Sequence, residues 1–198
     1  MIFLKNRCKN FPKLPRDFYN KKQRMQPWLL VVALLGLPNV GSAQSEPPAA
    51  LAASVQQLRD AVGDWEMVTE FLNDDGSIAK TVNGTYSFAW VVVDKVLSGK
   101  SEIPELKMSS GILFYVSAAK QLIEMASVGA DGNLWIMSGP LGSEVRYTQK
   151  YQGKDGREGQ LRFTRFNVTA ANFESKMEYT DDGGKTWKPG NHQVFRRK

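Results

Sequence analysis

Cysteine and histidine are almost missing from this chain of 198 residues, which holds one of each, Cys8 and His192. One cysteine cannot build a disulfide framework, and one imidazole without a cysteine cluster argues against a His/Cys zinc site, so neither a metal nor a cofactor is expected. The same scarcity leaves no convincing Ser-His-Asp set. Long apolar runs are missing too: Trp28–Leu37 covers ten residues, half of the ~20 that span a bilayer as a helix. No βαβ rhythm, heptad or repeat of constant period is present, which turns the reading away from parallel α/β sheets, coiled coils and solenoids. What is present builds a core: 42% hydrophobic and 11% aromatic residues suffice to bury an interior, which excludes a disordered or collagen-like chain.

The 26 Lys and Arg exceed the 20 Asp and Glu, a balance that ordinarily points to nucleic acid. Its distribution points elsewhere. In residues 1–43, Lys5, Arg7, Lys9, Lys13, Arg16, Lys21, Lys22 and Arg24 stand against Asp17 alone, leaving 18 basic and 19 acidic residues in the rest. The body is therefore nearly neutral, and no nucleic-acid partner is expected.

The basic stretch, the apolar run and then Gly41-Ser42-Ala43 follow the order of a secretory signal, with small residues at positions −3 and −1 of a cut after Ala43. An uncleaved anchor and a basic organellar transit peptide are the alternatives, and Met25 is a second candidate start. Cys8 precedes the apolar run, so it is not placed as a lipoprotein acylation site. The reading divides the chain into a basic leader and signal peptide (1–43), a linker (44–49) and a single domain (50–198). The mature chain, Gln44 to Lys198, is then 155 residues without cysteine, suited to a periplasmic or secreted location and left with no stable membrane span.

In the body, Leu51, Val55, Leu58 and Val62 recur at helical spacing over Ala50–Val62, and Gly63 ends that helix. From Trp65 the period changes to two, with Trp65, Met67, Thr69 and Phe71 on one face of a strand and Tyr86, Phe88, Trp90 and Val92 on another. Asp75-Gly76, Asp131-Gly132, Asp155-Gly156 and Asp182-Gly183 separate such runs and are hairpin signals, because glycine accepts positive φ. The pattern predicts strands near 64–72, 78–92, 96–103, 109–116, 121–128, 133–139, 143–152, 160–168, 173–180 and 191–197. About ten antiparallel strands after one short helix fit an all-β up-and-down barrel or a sandwich, and closure, which abolishes exposed edges, favours the barrel.

Gly63-Asp64-Trp65 at the head of the first strand resembles the Gly-x-Trp opening of the calycin superfamily, the lipocalins and fatty-acid-binding-like barrels. The resemblance implies that Trp65 closes one end of the barrel against an arginine of the last strand, Arg196 by position, with Arg197 as the fallback. The run from Phe173 through Trp187 to Phe195-Arg196 is similar to that of exported bacterial proteins of the DUF1579 type, a lipocalin-like family of unassigned function. Thr180-Asp-Asp-Gly-Gly-Lys-Thr-Trp187 also resembles the Asp-box hairpin of sialidases. One copy cannot make a propeller, and its residues explain a structural hairpin: Asp182 accepts backbone N–H groups, Gly183 and Gly184 permit the turn, and Trp187 anchors it.

With Trp65 inward, the alternation predicts that Tyr147, Gln149 and Tyr151 share one inner stripe with Val145, and that Arg165 and Asn167 share another with Leu161 and Phe163. An inward Arg165 suits a ligand carboxylate or phosphate; in the opposite phase it lies in water beside Gln160 and Arg162. Three functional readings follow. The first is an exported barrel binding a small apolar or amphipathic molecule, with Arg165, Tyr147, Gln149, Trp90, Phe88 and His192 as site residues. The second is an isomerase, hydratase or lyase in the same barrel, using Glu124, Tyr147 or His192 as acid or base. The third is a barrel filled by its own side chains. No acid/base pair is visible, so binding is preferred over catalysis, and no catalytic residue is assigned. The oligomeric state is left open.

Overall fold

The computed structural model describes residues 48–153 and 156–198. The signal peptide with its cut after Ala43, residues 44–47 of the expected linker, and Asp155 lie outside the described residues.

The body opens with α1 (Ala49–Ala61), one residue inside the expected linker. Pro48 precedes it, where its missing N–H costs nothing and its carbonyl accepts from the Leu51 and Ala52 N–H groups. The buried face of α1 is Ser54, Gln57, Leu58 and Ala61, rotated from the expected stripe, whose Leu51, Val55 and Val62 are only half-buried. Polar contacts explain the rotation. Ser54 Oγ accepts from the Gly142 N–H at 2.8 Å, and Gln57 Nε2 donates to the Ser143 carbonyl at 3.1 Å.

Eleven strands follow: β1 (Gly63–Leu72), β2 (Ile78–Val92), β3 (Val96–Ile103), β4 (Met108–Ser117), β5 (Leu122–Gly129), β6 (Leu134–Pro140), β7 (Val145–Thr148), β8 (Tyr151–Gln152), β9 (Glu158–Phe166), β10 (Asn172–Thr180) and β11 (Lys188–Arg197). Each pairs antiparallel with its neighbour, β11 returns to β1, and β9 takes both β7 and β8 along one edge and β10 along the other. β7 and β8 are thus one interrupted stave, and the sheet is a closed antiparallel barrel of ten staves, with every strand where the alternation predicts one.

The two ends of the barrel are built differently. α1 lies across one end, bonded to the β6–β7 connection through Ser54 and Gln57, and to the β2–β3 turn through Arg59 and Asp94 at 2.7 Å. Beneath it Leu58, Ala61, Phe88, Leu97, Ile112, Phe114 and Ile123 form a buried cluster, and Trp65, Met67 and Phe195 a second. The glycine hairpins all lie at the opposite end. Gly76, Gly132, Gly156 and Gly183 have φ between 76° and 83°, a left-handed conformation that glycine adopts without a Cβ clash. In the first three, the N–H of residue i donates to the carbonyl of i+4 and the glycine N–H returns to i: Asn73 with Ser77, Gly129 with Asn133, Gly153 with Arg157. Around Gly76 and Gly132 that pattern is a type I turn with a glycine bulge, whose twist suits a right-twisted ribbon.

Gly63 is needed for a further reason. Its φ is 116°, and a Cβ there would sit 2.6 Å from an Arg197 guanidinium nitrogen. Gly63→Ala is expected to cost about 1–3 kcal/mol, read as a lower urea midpoint at unchanged m-value; a midpoint equal to wild type would contradict this placement.

Candidate functional site

The register determines which residues face inward. Trp65 lies opposite Arg197 on one side and Tyr86 on the other, Phe88 opposite Gly99, Phe114 between Leu97 and Met125, Met125 opposite Met137 and Met137 opposite Thr148. Residues directly opposite share a face. The inward set therefore continues through Arg146 opposite Phe163, Phe163 opposite Met177 and Phe173 opposite Phe195.

Of the residues expected to bind a ligand, Phe88 and Trp90 face inward but belong to the packed floor. Phe88 is 8% exposed in the cluster under α1, its ring over Gly99, where a Cβ would approach to 2.3 Å; Trp90 packs against the same cluster. Tyr147 faces outward, correcting the inner-stripe expectation. Its ring lies 6.0 Å from Trp187, and the Arg162 guanidinium, bonded to Glu178 at 2.9 Å, stacks 4.3 Å above the same Trp187. Gln149 is exposed in the two-residue break between β7 and β8. That break shifts the phase by one, because Thr148 faces in and Tyr151, opposite Gly159 and edge-on to Trp135 at 6.5 Å, also faces in. Strict alternation through 145–151 fails there.

Arg165 faces inward with Leu161 and Phe163, as one of the two phases expected, but it is not free for a ligand. Glu144 takes its Nε at 2.8 Å and one Nη at 3.0 Å, and Asp60 of α1 lies at 3.5 Å. His192 sits on the outer wall, opposite Glu70 and Lys176. Its ring nitrogens lie 3.2 Å from Glu70 and 2.7 Å from Glu174, over the Phe166 ring. Partial burial pulls the imidazole down, but the two carboxylates outweigh it and its pKa is raised. Glu124 is also outward, paired with Lys120 at 3.5 Å. The three acid/base candidates therefore all point away from the lumen.

The structural residues show a closely related correction. Arg197, not Arg196, covers Trp65: its guanidinium is 4.3 Å above the indole and donates to the carbonyls of Val62, Asp60 and Ala170. The physical reason is register, since Arg197 lies opposite Trp65 whereas Arg196 lies opposite Glu66 on the outer face. Trp65 in turn donates its Nε1–H to the Ala61 carbonyl at 2.9 Å. Asp182 accepts from the Lys185 and Thr186 N–H groups and from the Thr180 and Thr186 hydroxyls. These bonds, led by those from Thr186, hold its carboxyl far below the usual range. Gly184, at φ 95°, donates its N–H to the Thr180 hydroxyl at 3.0 Å, and Trp187 lands on the outer wall.

Above the floor the interior changes character. Met125, Met137, Leu161, Phe163 and Met177 face inward yet are only half-buried. Met125 also packs against the buried cluster under α1. Arg146 is a residue that alternation missed. It is 7% exposed; one Nη donates to Gln57 Oε1 at 2.5 Å and its guanidinium lies 4.9 Å over the Phe114 ring. Its Nε is buried without a hydrogen-bond partner. Burial, then the neighbouring Arg165 charge, bring its pKa down to about 10 against an opposing pull from Glu144. A Cβ on the neighbouring Gly139 would lie 2.2 Å from the Val145 carbonyl oxygen and 3.5 Å from Arg146 Cγ, so the close approach of β6 to β7 at this point requires glycine. The sequence carried one usable signal, a charged residue between two strand-formers in Val145-Arg146-Tyr147.

Two outcomes test these assignments. Arg197→Met is expected to cost about 1–2 kcal/mol and Arg196→Met to stay within about 0.5 kcal/mol, by urea unfolding; equal effects would contradict the register. A raised His192 pKa contributes stability that is complete below the ordinary imidazole value and disappears as pH rises through the folded one. His192→Gln should therefore lower the melting temperature more at about pH 5.5 than at about pH 8.5, and the reverse order would refute the pairing.

No protein-family model and no curated protein matches the chain. Among solved structures, it is similar to a redesigned β-barrel at 12% identity and TM-score 0.38, over 71% of this chain and 94% of that one. It is also similar to the S-type phycobiliprotein lyase CPES of Guillardia theta at 11% identity and TM-score 0.45, over 77% and 98%. A third likeness is to EF1p2_mFAP2b bound to DFHBI, at 13% identity and TM-score 0.36, over 74% and 98%.

Proposed function

We propose that this protein is an exported binding protein that holds a small apolar or amphipathic molecule in its barrel lumen. The observation that carries the reading is the half-buried inward wall of Met125, Met137, Leu161, Phe163 and Met177 above a fully packed floor. A barrel filled by its own side chains would bury that wall completely. Five apolar side chains left against water are an unfavourable arrangement for stability alone, and a guest that dries them regains the hydrophobic contribution. The leader supports export, because its charge, apolar run and small-residue end follow the order that export signals require.

Purification without detergent, followed by native mass spectrometry, is expected to show a discrete mass lost on denaturation. The neutral fluorophore Nile red should bind saturably and be displaced by 1-dodecanol, and Met137→Trp, which fills the lumen, should weaken it about tenfold or more. A protein with no bound mass that takes up neither compound would refute the container.

A further inference from the structure

We propose that the outer wall of β2–β6 is the contact face of a homodimer, closed by a two-fold axis that passes through the wall between Gly111 and Leu113 of β4. This face lies outside the barrel, so it stands apart from the container reading and neither depends on the other.

Strand pairing lays out the wall in rows. Ser98, Leu113 and Ala126 stand opposite one another on β3, β4 and β5, and the adjacent outward row is Lys100, Gly111 and Val128. Leu113 is 47% and Val128 46% exposed, and Leu134, opposite Val128 on β6, is 44% exposed. Beside them lies an open groove of about 410 Å³, lined by Lys100, Gly111 and Val128 among others. Nothing in the chain's own packing asks for glycine at position 111. Its φ is not positive, and a Cβ there would meet no atom within 4 Å. A glycine inside a strand weakens it and marks the close approach of another group. No group of the described residues makes that approach, so the vacant place faces another molecule. An extended peptide would need a strand edge, and β3, β4 and β5 are hydrogen-bonded on both sides.

A second copy of the chain matches the face because the two rows are complementary to each other. A two-fold axis perpendicular to the wall, midway between Gly111 and Leu113, reverses each row and lays it on the other. Leu113 then falls on Gly111 of the second copy and Val128 on Ser98. At the flank Leu134 falls on Ala89, which lies opposite Ser98 on β2. Each contact sets a large side chain against a small one. Lys100, exposed in a pair with Glu102, falls on Ala126, the outward neighbour of Glu124 along β5. Glu124 is 7% exposed, with an Oε2 that has no hydrogen-bond partner and Lys120 3.5 Å away, so cation meets anion on both sides of the axis. Every contact occurs twice, which makes the interface isologous and closes the assembly at two copies. Five strands ~4.8 Å apart and two rows ~7 Å apart give a patch of roughly 24 by 14 Å. That is below the ~800 Å² per partner of a standard interface, so the dimer is reversible, with a Kd on the order of 10 μM.

Sedimentation velocity of the purified protein from about 1 to about 200 μM is expected to show a concentration-dependent passage from monomer to dimer. Gly111→Leu fills the groove where the fold has room for a side chain. It should weaken dimerisation about tenfold or more while the urea midpoint stays equal or rises, a combination that loss of folding cannot produce. Adding Leu113→Ala to that variant sets small against large again and should restore part of the affinity. The register has its own test in a Cys8→Ser background: Ser98→Cys combined with Val128→Cys should yield a disulfide-linked dimer under mild oxidation. Within one chain these two positions are about 12 Å apart, beyond the ~7 Å that a disulfide bridges, and either cysteine alone should leave the chain largely unlinked. A protein that stays monomeric at every concentration would overturn the dimer and give the groove to a small ligand or a different protein. A Gly111→Leu protein that dimerises like wild type, or a double-cysteine protein that dimerises without cross-linking, would overturn this face and its axis.

Discussion

One guanidinium holds the closed end of this barrel together. Arg197 stacks on Trp65 of the first strand, belongs to the last strand, and donates to the carbonyls of Asp60 and Val62 at the C-terminal end of the helix. Those carbonyls have no intrahelical partner and carry the negative end of the helix dipole, so a cation there satisfies hydrogen bonds and charge together. Because the same residue pairs across β1 and β11, sheet closure and helix docking are one event rather than two. Gly63 is the geometric condition for it, since a side chain there would occupy the guanidinium's place.

Sealing one end so firmly concentrates the energetic problem at the floor. Two arginines, Arg146 and Arg165, are drawn into an interior whose other polar groups, among them Gln57, Thr69 and Thr148, are uncharged. Arg165 is answered by Glu144 and Asp60, and that ion pair ties the β6–β7 connection and the helix to β9. Arg146 is answered by one amide. A fold selected only for stability would place an apolar residue there, because a buried charge with a spare donor costs more than a well-packed isostere. The two neighbours thus differ in how far the fold satisfies their charge.

The outer wall shows how aromatic residues mislead a reading based on alternation. Tyr147 and Trp187 are the type of side chain expected inside, yet they pack on each other outside, with Arg162 between Trp187 and Glu178. The hairpin after β10, organised by the Asp182 carboxylate, folds back far enough to cover that patch. His192 is likewise absorbed by the exterior, in a line of Glu70, His192 and Glu174 over Phe166 that links β1, β11 and β10.

The sequence by itself determined the strands, their antiparallel order, the glycine hairpins and the helix, because alternation, helical spacing and positive-φ glycines are local properties that a chain carries wherever it folds. It also marked Trp65, the Asp182 turn and the inward option for Arg165. Only the tertiary structure decided the phase of β7 and β8, since the break at Gln149 and Lys150 resets the alternation without any compositional sign. It likewise decided that Arg197 rather than Arg196 meets Trp65, because register is set by pairing with a strand more than a hundred residues away. It decided as well that Glu144 bonds to Arg165, while among the described residues no carboxylate forms an ion pair with Arg146. Whether a buried charge has a partner depends on distances between segments remote in the chain, and those exist only once the barrel has closed.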